Sequence, residues 1–450
     1  MSVLTWPGAG PAIATRASAR AQALESSHHA MWNYMTYRDA IELVGLESAD
    51  LYPEGTTRLD PAEWADLGWL ASFCGPPQSA LDAMRDSVSV ETVNQYTPDL
   101  IDPLREAAAA AIGLRRDGGL EVMGVEGAQA GVTLALLAGV DPGDEVILGD
   151  PGYFHLPGAV IVAGATPVVV PIGAHTGHLL DPDAVAGAIT PRTRAICVVD
   201  PLNPFGTVHS AEELSALAEL AERHDLMLIH DVTHAPIAID ERVPHHTFAS
   251  LGAGERALTM YSVSHCWGMA GARIGFMAGP PGLIRRCLRL KAAVTRLNTS
   301  LVAQYGALAA LRDPDHLSYA GAVVRRNLAH LEETLGSRPG LELVTRPARG
   351  LACAVDVSGT EATAQELVVA LFARRVVVYP GDGLGAVGAA STLRMNLSRP
   401  DPWAMEHLRE VLDEAVEEAA SGRWAEPVAA LLEGKGTARA HEIAELIRAR

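Results

Sequence analysis

The sequence predicts an α/β fold, with a large domain built on a mostly parallel sheet between helices and a smaller α+β domain. Three observations carry that expectation. From Gly124 to Ser264 short apolar runs alternate with segments of helical spacing, the pattern of a parallel sheet covered on both faces. Tyr153, Asn203, Asp231 and His265 each stand at the end of an apolar run, and ligands of such sheets bind beyond the carboxyl ends of the strands. The length of 450 residues also exceeds one core, since a domain takes roughly 100–200 residues.

Composition narrows the function classes. Hydrophobic residues make up 48% of the chain and the formal net charge is −19. A globular protein fits that composition, whereas nucleic acid and anionic membranes ask for a basic surface. Cys74, Cys197, Cys266, Cys287 and Cys353 are widely spaced, without a Cys-x-x-Cys pair, so a reducing, cytoplasmic setting is expected rather than a disulfide framework. Residues 1–15 lack a basic stretch followed by an apolar run, and no segment reaches the ~18 apolar residues of a membrane span. Lys291 and Lys435 are the only lysines, and both are expected at the surface.

Taken in order, residues 11–70 read as helical pieces with an Ala/Arg-rich run at 16–24 and a Pro-marked break at 51–55. The adjacent pairs His28-His29 and His245-His246 are expected to be solvated or capping, because sequence neighbours do not share a helix face. Gly127-Ala128-Gln129 opens a helical run to Leu137, and residues 144–148 follow as a buried strand. A glycine turn at a helix start exposes N–H groups and the positive end of the dipole, which suits a phosphate. Pro151-Gly152-Tyr153 sets a ring after that strand, and 167–171 is another strand. The strand at 194–200 ends in Pro201-Leu202-Asn203-Pro204-Phe205-Gly206, and Ser210-Ala211-Glu212-Glu213 is a capping box opening a helix to about His224. Strands at 226–230 and 257–264 complete the set. Beyond a boundary near 312–315 come a helix at 322–335, strands at 350–357, 375–379 and 393–397, and terminal helices. The expected domains are 1–84, a helical segment joining the small domain; 85–312, the large domain; and 313–450, the small domain.

Ser262-Val263-Ser264-His265 through Arg273-Ile274-Gly275 resembles the signature of the class I/II aminotransferases, a fold-type-I family that uses pyridoxal 5′-phosphate (PLP). In that signature two serines precede the lysine that holds PLP as a Schiff base, and an arginine eight residues later binds the phosphate. His265 stands where the lysine is expected. The resemblance implies further roles from Tyr96 to Arg394. Gly127, Ala128, Gln129, Ser262 and Arg273 would cradle the phosphate, with Tyr96 reaching it from a neighbouring subunit. Tyr153 would stack on the pyridine ring, Asp231 would keep the ring nitrogen protonated, and Asn203 would bond the 3′ oxygen. Arg394 would fork onto a substrate α-carboxylate. Singly, each residue also reads as a cap, turn or ion pair; jointly, in the family's order, they point to its cofactor site.

Two histidines depart from the family pattern. His265 replaces the lysine, and His234 replaces a tyrosine three residues after the Asp231 position. A histidine can act as general acid or base near neutral pH, but it cannot hold PLP covalently. PLP or pyridoxamine phosphate (PMP) is therefore expected to bind non-covalently, on a homodimer with shared sites, with an amino acid or amino sugar as substrate. A histidine at this position also occurs in PMP-dependent sugar dehydratases. Two other readings stand beside this one: a catalytically silent homologue serving as sensor or partner subunit, and a metal site at Asp231, His234 and His265.

Overall fold

The structure is a computed structural model that describes residues 18–26, 60–68, 72–113, 119–297, 299–385 and 391–434, with residues 441, 444, 445 and 448. The break at 51–55, His28-His29, Asn298 and Lys435 lie outside the described residues. Of the residues expected as N-terminal helical pieces, Ala19–Ser26 is a helix, whereas 60–68 departs from that expectation, running through a turn into the short strand Ala65–Asp66 because it pairs with a distant strand, Val376–Val377.

The strands are β1 Ala65–Asp66, β2 Glu121–Val125, β3 Glu145–Asp150, β4 Thr166–Pro171, β5 Thr193–Val199, β6 Met227–Asp231, β7 Ala257–Ser262, β8 Gly275–Gly279, β9 Glu342–Leu343, β10 Ala352–Asp356, β11 Val376–Val377, β12 Tyr379–Pro380 and β13 Thr392–Asn396. Seven of them form the large sheet in the order β2-β8-β7-β6-β5-β3-β4. Strand β8 is antiparallel to both neighbours, and the pairs among β3 to β7 are parallel. Strands β5, β6 and β7 are adjacent and parallel, so the loops after them open side by side at one end of the sheet.

Both faces of this sheet are covered, and strand periodicity decides which residue meets which layer. On β5, Ala195 and Cys197 join the core under helices Ala128–Gly139, Leu156–Ala163 and Pro281–Val294. Ile196 and Val198 turn the other way, toward Pro182–Ala188 and Ala211–Arg223. Strand β6 follows suit, with Ile229 in the first layer and Leu228 in the second. Helix Ala211–Arg223 begins on the expected capping box, Ser210 Oγ accepting from Glu213 N at 3.2 Å and Glu213 Oε2 from Ser210 N at 2.7 Å.

The smaller sheet runs β12-β13-β10-β9, antiparallel throughout, and β1 pairs parallel with β11. Residues 60–68 are thereby tied to the C-terminal part of the chain, and Arg399 also donates to Pro61 O at 2.9 Å. Residue 84, the expected first boundary, falls inside helix Gln78–Ser87, whereas the second, after Arg312, coincides with the end of helix Leu301–Arg312.

Lys291 is not a surface residue. Helix Pro281–Val294 turns Ile284, Cys287 and Lys291 inward, three and four residues apart on one stripe. The lysine is fully buried. Its Nζ donates to Gly124 O at 2.8 Å and Thr299 Oγ1 at 3.2 Å, and it lies 3.1 Å from Glu126 Oε1. A long side chain can sit inside when its charge meets a carboxylate and two hydrogen-bond acceptors. All five cysteines are free thiols. Among the described residues no helix is long and apolar enough to cross a membrane.

Candidate active site

The pocket lies where β5, β6 and β7 end and helix Ala128–Gly139 begins. Of the residues expected from sequence it brings together Ala128, Gln129, Tyr153, Asn203, Asp231, His234, Ser262, His265 and Arg273. Val199, Thr233, Ser264 and Ala270 complete its lining. Gly127 sits beside it as the residue before the helix, with φ +90°. A side chain there is opposed twice, by the backbone conformation and by Arg273 Nη2, which occupies the place of a Cβ. Gly275 stands in the same relation to Gly127, whose carbonyl carbon would be 2.7 Å from a Cβ at 275. Small residues thus let the loop 262–275 close on the start of the helix.

Arg273 is exposed at the rim, in the left-handed region at φ 54° and ψ 46°. Its Nη1 donates to Ala270 O at 3.0 Å and its Nη2 to Glu126 O at 2.8 Å. Those bonds hold the guanidinium against the turn that precedes the helix N-terminus. Ser262 Oγ accepts from Ser264 N at 3.3 Å. Cation, hydroxyls and the first turn of the helix therefore share one corner of the pocket, a natural anion site.

Asp231 closes β6 and is buried. Burial pushes its carboxyl above the usual range, opposed by the hydrogen bonds from Thr233. Thr233 donates twice to Asp231 Oδ1, from N at 2.9 Å and from Oγ1 at 2.5 Å. Thr233 is not among the residues that the sequence motifs single out, although Asp-x-Thr is a local side-chain-to-backbone turn that sequence can signal.

The two departing histidines meet. The rings of His234 and His265 lie 4.7 Å apart at 31°. His234 keeps a little surface in the pocket mouth, yet burial, then the charges of His265 and Arg394, hold its pKa well below the ordinary value, so it is neutral at pH 7. Its Nε2 is 3.4 Å from Asn203 Nδ2. Asn203 Oδ1 and Gln129 Oε1 are buried without a protein partner.

Besides Gly127, two expected residues stand outside this lining. Arg394 is buried on β13, 5.6 Å from the Tyr379 ring centre. Burial lowers its pKa to about 10 against the pull of Tyr379, Cys353, Tyr153 and Asp66, and its charge reaches Tyr153 and His234 across the pocket border. Tyr96 is 74% exposed, with Arg296 over its ring at 4.7 Å. Of the pair His245-His246, the first departs from expectation. His245 is mostly buried, its Nε2 3.0 Å from Asp200 O, because the loop before β7 folds back under β5 and β6. Asp231, His234 and His265 do not gather as metal ligands; among the described residues the group that does is Asp200, His230 and His245.

Comparison with known proteins identifies the family. The family model "Aminotransferase class I and II" matches residues 70–412. A probable aspartate/prephenate aminotransferase of Thermus aquaticus is 34% identical over 322 residues, covering 69% of this chain and 82% of that protein. The LL-diaminopimelate aminotransferase of Desulforudis audaxviator is 30% identical over 344 residues, 74% of this chain and 86% of that one. Aspartate aminotransferase from Thermus thermophilus, solved with maleate, superposes at a TM-score of 0.74 with 28% identity, over 90% of this chain and 99% of that chain. A match this long, on a sheet whose strand ends carry the pocket, means that the chain belongs to the class I/II aminotransferase family and is an enzyme of its PLP-dependent chemistry on amino acids.

Proposed function

We propose that this enzyme acts on an amino-acid or amino-sugar substrate with PLP or PMP held non-covalently, His265 serving as the general acid/base in place of a lysine. The carrying observation is the contact of His265 with His234 in a pocket that retains Asp231, Asn203, Ser262 and Arg273. The pocket fits the cofactor on its own terms. It offers an anion corner at Arg273, a carboxyl at the end of β6, and two buried amide oxygens that want polar partners.

In this reading Ala128, Gln129, Ser262 and Arg273 bind the phosphate, and Tyr153 covers the ring. When bound, PLP supplies an electron sink for a carbanion at the amino-acid Cα. Asp231 holds a proton at the ring nitrogen, where the positive charge would offset the cost of burying its carboxylate. Asn203 orients the 3′ oxygen. A half-turn of its amide puts Nδ2 into the pocket and lets Oδ1 accept from His234 Nε2, a proton that neutral His234 can carry there. His265 takes or returns the Cα proton at a ring nitrogen, while Arg394 receives the α-carboxylate. An imidazole has no primary amine, so covalent anchorage and amine-assisted product release lie outside its chemistry. These features suit a specialised biosynthetic reaction more than a fast general transamination.

A homodimer accompanies this reading. Val88, Val90, Val93 and Tyr96 are exposed on one stretch, and Val294, Leu297 and Tyr305 on another. Thr97 Oγ1 reaches Thr299 O at 3.3 Å and Ile101 N reaches Gln304 Oε1 at 2.7 Å, joining the two stretches into one surface. Such a patch suits a second copy, and Tyr96 would then face the partner's pocket. A cytoplasmic location fits the free cysteines.

The test is an absorbance titration with PLP and PMP across amino acids and amino sugars, followed by borohydride reduction and mass analysis. Saturable binding, an amine-dependent spectral change and no cofactor fixed to the chain are expected. Binding without any response to amines would leave a silent sensor or partner subunit. Cofactor trapped on Lys291 would overturn the role given to His265.

A further inference from the structure

We propose that Asp200, His230 and His245 form a binding site for one divalent transition-metal ion beneath the Asn203 loop, on the face of β6 opposite the cofactor pocket. Asp200 Oδ2 lies 3.8 Å from His230 Nε2 and 3.7 Å from His245 Nε2, and the three ligand atoms are all within 4.8 Å of one another. In a tetrahedral site with bonds of about 2.0–2.2 Å, ligand atoms stand roughly 3.3–3.6 Å apart. A modest contraction brings the set to that spacing.

Two further observations single out these groups. Asp200 and His230 are fully buried, yet Asp200 Oδ2 and both ring nitrogens of His230 make no hydrogen bond. Buried polar atoms are rarely left so, and here they converge. The carboxylate is also oriented for the task. His209 Nε2 accepts from Leu180 N at 3.2 Å, which places the His209 proton on Nδ1, 3.5 Å from Asp200 Oδ1. His209 N donates to the same Oδ1 at 3.1 Å. One oxygen is thus engaged by His209 while the other faces the two imidazoles, the kind of outer support that fixes a metal ligand.

His245 supplies the adjustable arm. Its Nε2 is 3.0 Å from Asp200 O, a contact that a metal bond would replace, with the ring proton on Nδ1. Arg349 donates to Ala235 O at 2.8 Å and Val243 O at 3.0 Å, which holds the approach to His245 in place. Two imidazoles and one carboxylate leave a position for water and suit zinc or iron(II). An ion there would staple the end of β5, the middle of the sheet and the loop before β7. Asp200 precedes Asn203 by three residues and His230 precedes Asp231 by one, so the staple would brace both pocket residues from behind.

The experiment is a Co2+ titration of the full-length protein after chelator dialysis, with Zn2+ competition. One equivalent of Co2+ should bind with the visible absorption of a four- or five-coordinate ion, be displaced by Zn2+, and raise the melting temperature. His245→Gln should weaken binding by about tenfold or more, while His246→Gln leaves it unchanged. His245→Cys should keep the ion and add a thiolate-to-cobalt absorption. PLP binding measured in the same samples reports folding of each variant. Failure of the wild-type protein to take up an equivalent, or equal affinity in His245→Gln, or no thiolate absorption in a folded His245→Cys, would overturn the site.

Discussion

Asp231 and Asp200 are both buried carboxyls at the same edge of the sheet, on opposite faces of its central strands, and they titrate in opposite directions. At Asp231 burial prevails over the two Thr233 bonds and the pKa is raised. At Asp200 burial pushes upward too, but His209, His230 and His245 more than offset it and hold the carboxyl well below the usual range. Burial alone therefore does not set a carboxyl's charge; what stands against it does. One face holds a carboxyl whose ionised form burial disfavours. The other keeps a carboxylate ionised among imidazoles.

The largest effect that would break this contrast belongs to the pocket face. His265→Ala should lower turnover by about 10²–10⁴-fold, the usual worth of a positioned acid or base, with cofactor affinity within a few-fold in the absorbance titration. Replacement of the two aspartates comes next, and the outcomes should cross. Asp231→Asn should cost about 10²–10³-fold in turnover, as loss of a preorganised electrostatic group does, with a melting temperature equal or higher because a raised carboxyl disfavours the folded state at neutral pH. Asp200→Asn should retain cofactor chemistry but lose about 3 kcal/mol of stability in urea unfolding, as when a buried charge cluster loses one member.

Acid should charge histidines on both faces. Burial brings His155 and His245 down to about 4 and His234 well below its ordinary value. Folded pKa values below the unfolded 6.5 mean that the folded state binds fewer protons. Their stability is complete above about pH 6.5 and is lost as pH falls toward 4, by at most about 3 kcal/mol per histidine. Melting curves from pH 7.5 to 4 should show that decline, and it should be shallower in His155→Phe. The smallest effect lies away from both faces: Ser210→Ala removes a helix cap and should cost about 1 kcal/mol without changing PLP titration.

Local order made most of the pocket legible. Asn203, Asp231 and His265 follow apolar strands, and a parallel sheet puts such ends in one place, so spacing and motif locate them together. The Gly127 turn and the Ser210 cap are likewise local. What sequence withheld came from distant chain segments meeting. His209, His230 and His245 are scattered over three segments, and only the fold-back of the loop before β7 gathers them around Asp200. Lys291 resembles any helical lysine until the register of Ile284 and Cys287 is known to face inward. Motif alone points to Tyr96, and in a single chain its ring lies at the surface.

The burial of Lys291 has a chemical consequence for a protein that handles a reactive aldehyde. Carbonyl compounds condense with free surface amines, and in most proteins many lysines compete for them. Here the only lysine among the described residues is sealed against Gly124 O, Thr299 Oγ1 and Glu126. The described surface is therefore close to inert toward carbonyl condensation, and an aldehyde entering the pocket meets imidazole and guanidinium groups before it meets an amine.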